Sequence, residues 1–154
     1  RGRAAFPANE KRLYLSQRPY LPLGTLACAV AYPLTAQGPR EEMERALRLV
    51  GMEAFLPRLD EAADWSHILS LGEQQRIAFA RILLVRPAWV FLDEATSALD
   101  EAREKELYEM LAHELPEMGI VSVGHRSTLR EQHEKELHLG GAGSFSMRVL
   151  TESA

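Results

Sequence analysis

At 154 residues the chain is the size of one domain and long enough to bury a real core. Its composition, 46% hydrophobic and 26% charged with a net charge of −4, is that of an ordinary globular protein, with no general electrostatic pull toward nucleic acid or anionic membranes. The single cysteine excludes an internal disulfide, no apolar run approaches the ~20 residues of a membrane span, and the first residues do not read as a signal peptide.

The chain begins at Arg1 in mid-pattern, which is expected of a piece of something longer. After the polar stretch PANEK, residues 12–16 (RLYLS) read as a short strand, followed by Gln17 and then RPYLPLG, whose prolines and glycine keep it irregular. Thr25 to Tyr32 suits a short apolar helix stopped by Pro33, with Cys28 expected among its buried small residues. From Pro39 the pattern is helical: Met43, Ala46, Leu47 and Val50 fall at i, i+3, i+4 and i+7, and Gly51 closes the run. Residues 53–68 are expected to form a short helix and a loop holding Asp64 and Trp65. The whole segment 34–68, helical and without strands, is expected to be a separate helical subdomain.

Ser70 opens the clearest helix. Ser70 and Glu73 form an S-x-x-E capping box, Ile77, Ala80, Leu83 and Leu84 an apolar stripe, and Pro87 ends the run. Residues 88–92 (AWVFL) read as a buried strand that stops at two adjacent acids, Asp93 and Glu94. Asp100 caps the next helix, with Glu101 and Glu104 in its first turn and Leu107, Met110 and Leu111 on its core face. Ile120 to Val123 is expected to be another buried strand, ending at Gly124-His125, and Ser127 to His133 a short helix. KELHL and SFSMRVL, joined by GGAG, read as a terminal hairpin with Phe145, Met147 and Val149 on one face. Short apolar strands alternating with helices indicate an α/β domain with a mainly parallel sheet.

In open α/β sheets ligands sit at the carboxyl ends of the strands. Three candidate strands end in suitable polar residues: Gln17, the Asp93-Glu94 pair, and His125. Taken singly, each has an ordinary explanation as a loop polar group, a helix cap or a solvated histidine. Together they make a candidate phosphate and Mg²⁺ site. Neighbouring residues of a strand face opposite ways, so one acid can serve a metal while the other orients a water.

The stretch LSLGEQQRIAFARILLVRPAWVFLDEATSALD, residues 69–100, closely resembles the signature helix, Walker B strand and D-loop of ATP-binding cassette (ABC) ATPases. VSVGHRST at 121–128 resembles their H-loop, and YLSQRPYLPLGTL at 14–26 their Q-loop. Order and spacing agree over nearly the whole chain. The wording is most similar to bacterial exporter-like proteins with a membrane domain fused ahead of the ATPase. These are relatives of peroxisomal fatty-acyl transporters and of SbmA/BacA-type peptide and cobalamin transporters. The resemblance divides the chain into a Q-loop region (1–33), a helical subdomain (34–68) and a unit from the signature helix to the hairpin (69–154).

The resemblance implies ATP and Mg²⁺ as ligands and a role for each residue. Glu94 is implied as the general base, Asp93 as the Mg²⁺ carboxylate and His125 as a γ-phosphate contact. Gln17 is implied to touch Mg²⁺ and the attacking water. Ser70 and the backbone at Gly72 are implied to bind the γ-phosphate held by a second domain in a head-to-tail dimer, with Asp100 reaching across the same interface. The implied partners are that second domain and a permease domain, with no nucleic acid, and the implied place is the cytoplasmic face of a bacterial inner membrane.

Two departures stand out. The family's usual LSGGQ is LSLGE here, with Leu71 and Glu73 in the variable places; Ser70 and Gly72 remain, so function is expected to survive, and a capping box alone is the other reading of Ser70 and Glu73. A phosphate-cradling loop needs G-x-x-x-x-G-K-[ST], yet Lys11, Lys105 and Lys135 are the only lysines and none follows a glycine. With Walker A missing, the chain is expected to be the C-terminal part of an ABC ATPase domain, inactive alone. Two other readings remain open: a soluble ABC ATPase of the DNA-repair or translation type, and a non-catalytic remnant.

Overall fold

A computed structural model describes residues 10–34 and 38–150. The polar run ahead of the first strand therefore lies largely outside the described residues, as do residues 35–37 of the expected helical segment. Three parallel strands, β1 (Arg12–Ser16), β4 (Trp89–Asp93) and β5 (Gly119–Val123), form the main sheet in the order β1-β4-β5. Their register aligns Ser16, Asp93 and Val123 at one edge. Two smaller antiparallel pairs accompany it. β2 (Gly24–Thr25) pairs with β3 (Ala62–Ala63), and β6 (Lys135–Leu139) with β7 (Phe145–Val149).

The helices form where local signals demand them. Thr25 caps α1 (Leu26–Ala31) through the Cys28 N–H. α2 (Arg40–Leu49) ends in a Schellman motif, with Gly51 at φ +69° and the Met52 N–H on the Leu47 carbonyl at 2.8 Å. α3 (Trp65–Ile68), α4 (Leu71–Val85) and α5 (Glu101–Glu114) follow, capped by Asp64, Ser70 and Asp100. One hydrophobic cluster runs from Leu13, Leu15, Val90 and Leu92 of the sheet through Ile77, Phe79 and Ile82 of α4 to Leu47 and Val50 beside α2.

Several expectations need correction. Cys28 is exposed, because α1 buries Leu26, Ala27, Ala29, Val30 and Ala31 and position 28 is left outside. Residues 53–68 contain strand β3, which pairs with residues distant in sequence. Trp65 starts α3 there rather than lying in a loop. α4 is buried on nearly every side of its second half, not along a stripe, since it lies between the sheet and α2. β5 is not buried: Val121 is 41% and Val123 61% exposed, because it is an edge of the described sheet. The expected helix at 127–133 is a 3₁₀ turn, Ser127–Gln132.

The two faces of the sheet differ. Leu13, Leu15, Val90 and Leu92 are buried on the helix side, whereas Tyr14, Phe91 and Val121, cross-strand neighbours on the other side, are not. The hairpin likewise places Leu137, Leu139, Phe145, Met147 and Val149 on one face, all exposed. Among the described residues no helix is long and apolar enough to cross a membrane.

Candidate functional site

Asp93 is the last residue of β4, level with Ser16 and Val123. Gln17, Glu94 and His125 come one, one and two residues beyond those aligned ends, so strand register gathers these residues on one edge of the sheet. The two acids then part company. Asp93 Oδ2 accepts a hydrogen bond from the Tyr14 hydroxyl at 2.8 Å. That bond to a carboxylate holds the Tyr14 proton and raises the phenol above its ordinary value. Glu94 continues the ladder by donating its N–H to the Val123 carbonyl at 2.9 Å, but turns into the left-handed region at φ +50°. A side chain other than glycine there is strained, and the turn brings Glu94 Oε1 within 3.5 Å of His125 Nδ1. Glu94 is 38% and His125 76% exposed, so this edge is open to solvent. Gln17 is exposed beside it.

Ser70, Gly72 and Asp100 are engaged in local structure. The Ser70 N–H and hydroxyl donate to Glu73 Oε2 at 2.8 and 2.7 Å, and the Glu73 N–H donates back to Ser70 Oγ at 3.3 Å, which completes the capping box. Gly72 packs against the loop after Glu94; a Cβ there would meet the Ala98 carbonyl at 3.2 Å. Asp100 accepts from the Arg103 N–H at 2.8 Å as the cap of α5.

Three further groups, Tyr14, Gln75 and Arg81, went unnoticed in the sequence, and Glu104 was expected only to favour the first turn of α5. Tyr14 is the partner of Asp93, and its one signal in the sequence is a tyrosine between two leucines of a short strand. Gln75 and Glu104 are buried polar residues, 0% and 2% exposed, whose polarity within helix faces packed on the core was the clue. Arg81 is 3% exposed, and among the described residues no carboxylate pairs with it. It donates to the Ala29 carbonyl from two nitrogens and to that of Tyr20, and it stacks on Tyr32, while burial pushes it down to about 10.

Among the described residues no group of three or more His, Cys, Asp or Glu side chains stands ready to enclose a metal. The Asp93 carboxylate at a strand end, with Gln17 on the same edge, fits an ion that takes few protein ligands and keeps its waters, as Mg²⁺ does.

The family profile described as ABC transporter matches residues 8–97, more than half the chain. The chain belongs to the ABC transporter family. An ABC transporter ATP-binding protein of Haemophilus influenzae is 45% identical over 140 residues, which are 90% of this chain and 24% of that protein. The human lysosomal cobalamin transporter ABCD4 is 40% identical over 152 residues, 91% of this chain and 25% of the transporter. A solved bacterial Atm1-family ABC exporter with ATP bound superimposes with a TM-score of 0.72 at 26% identity, covering 82% of this chain and 23% of that one. This ABC transporter chain thus spans about a quarter of the length of the relatives it matches. Its sheet, helices and terminal hairpin are those of a P-loop ATPase core.

Proposed function

We propose that the chain is the C-terminal part of a nucleotide-binding domain whose whole protein hydrolyses ATP and drives a transmembrane permease domain fused upstream. The observation that carries this reading is the divergence of two adjacent carboxylates at the sheet edge, Asp93 toward Tyr14 and Glu94 toward His125. Asp93 and Gln17 would hold Mg²⁺, which would supply positive charge against the phosphate oxygens. Glu94 accepts a hydrogen bond from the attacking water and orients it, and His125 contacts the γ-phosphate. Ser70 and the Gly72 backbone, at the N-terminus of the 15-residue α4, face the γ-phosphate held by a second such domain. Asp100 lies at the same head-to-tail interface. The phosphate-cradling loop belongs to sequence outside these 154 residues. The domain works at the cytoplasmic face of a bacterial inner membrane.

The similarity to membrane transporters, and to an exporter solved with ATP bound, supports this reading over a soluble nucleic-acid machine. Glu94→Gln in the full-length protein tests it. The substitution keeps size and hydrogen bonding but removes the charge, so turnover collapses while ATP-bound dimers accumulate. Loss of ATP binding instead would make Glu94 a ligand and overturn the division of the two acids.

A further inference from the structure

Gln75 lies in the second turn of α4 and is wholly buried. Its carboxamide is engaged at both ends. Nε2 donates to the Gln17 carbonyl at 2.9 Å and to Ser97 Oγ at 3.2 Å, and Oε1 accepts from the Ala98 N–H at 3.0 Å. The partners are 58 and 22 to 23 residues away and belong to the two segments that leave β1 and β4 at the candidate site. The same loop is gripped from the direction of His125. Arg126 donates to the carbonyls of Leu99 and Ser97 at 2.7 and 2.9 Å. The Thr96 hydroxyl bonds Glu104, which also accepts from Thr128 at 2.8 Å. Residues 96–99 are therefore tied to the main chain of Gln17 on one side and to the segment after His125 on the other.

We infer that Gln75 is a positioning residue that makes the main chain at Gln17 and the loop at Ser97-Ala98 move as one, so that a displacement at Gln17 reaches Glu94, three residues before Ser97. The physical basis is that neither half of the carboxamide can separate from its partners without leaving a buried polar group unpaired. A glutamine serving only the core could take its partners anywhere; these join the two strand ends. The inference's consequence for turnover rests on the ATPase reading, but the coupling itself does not.

The test uses Gln75→Glu, Gln75→Leu and Ser97→Ala in the full-length protein. Gln75→Glu keeps the shape, loses the amide donors and sets a carboxylate oxygen against the Gln17 carbonyl. Amide hydrogen exchange, measured without nucleotide, is expected to rise roughly tenfold in the segments 16–20 and 95–99 together, while the β6–β7 hairpin is unchanged. Ser97→Ala, which removes one hydroxyl partner at a partly exposed position, gives the same paired pattern more weakly and serves if the Gln75 variants fail to fold. With ATP, kcat falls roughly tenfold for Gln75→Glu while KM stays within about twofold. Faster exchange at 95–99 alone, with 16–20 unaffected, would overturn the coupling. Paired loosening with kcat unchanged would overturn the positioning role. A wild-type protein without any ATP turnover would instead refute the ATPase reading, and the exchange result would still decide on Gln75.

Discussion

Glu94 carries a conflict between stability and chemistry within one residue. The left-handed backbone at φ +50° aims its carboxylate at His125 and away from the face that Asp93 occupies, at a cost of about 1–2 kcal/mol for a residue with a Cβ. Glycine relieves that strain and alanine does not. We expect Glu94→Gly to unfold at higher urea than Glu94→Ala, by about 1 kcal/mol compared at equal protein concentration. Both variants should lack turnover in the full-length protein. Equal stability of the two would mean that no strain is stored at this position. Asp93 needs no such device, because as the last residue of the strand it already faces Tyr14.

At the scale of elements, α2 and α5 are joined by a two-pronged ion pair, with Arg45 Nη2 at 2.7 Å from both oxygens of Glu114. The hydrogen bond from Arg45 lowers the Glu114 pKa below its ordinary 4.5. A carboxylate depressed in the folded state adds stability that is fully present above the unfolded value, near 4.5, and is lost as pH falls through the folded value. The wild type should therefore keep a melting-temperature advantage over Glu114→Gln down to about pH 4.5 and lose it progressively below that. An advantage that stays flat to pH 3 would show that the pair acts by packing alone. α4 poses the other question at this scale, since Ser70 has a complete cap whether or not it meets a ligand. Dimers of the full-length protein carrying Ser70→Arg on one subunit and Glu94→Gln on the other put both lesions in one composite site and spare the second. Placing both substitutions on one subunit damages each site once. The first arrangement should retain more hydrolysis, provided a single intact site is shown separately to turn over. Equal activity would reduce Ser70 to a helix cap.

For the molecule as a whole, the uneven sheet is the main physical fact. A parallel sheet is ordinarily covered on both faces, and this one leaves Tyr14 at 62%, Val121 at 41% and Val123 at 61% exposure opposite its helices. The hairpin adds Leu139, Phe145 and Val149, each more than 60% exposed. Apolar surface of this kind, with β5 at an edge of the described sheet, favours association between copies. The 154-residue chain by itself should elute above its monomer mass of 17.3 kDa in light-scattering chromatography, increasingly so with concentration. Its Mg²⁺-dependent phosphate release should not exceed that of a Glu94→Ala control. A monodisperse monomer would indicate that the bare face is no liability, and turnover above the control would refute the need for a phosphate-cradling loop from elsewhere.

What the sequence by itself determined was local. The capping box at Ser70, the cap at Asp100, the stop at Gly51 and the strand before Asp93-Glu94 each depend on groups within a few residues of one another, so spacing alone specifies them. The family resemblance was legible for the same reason, because its motifs are short runs. Tertiary structure alone decided the order β1-β4-β5, which brings Gln17, Asp93, Glu94 and His125 to one edge from positions up to 108 residues apart. It also decided that Tyr14 meets Asp93 across 79 residues and that Gln75 reaches Gln17 across 58. It left Cys28, Val121 and Val123 exposed where their apolar runs placed them in the core. Apolar patterning states that a side chain suits burial. Which neighbour covers it, and which buried polar groups find each other, follows from how strands pair and helices pack, and neither is written in any window of adjacent residues.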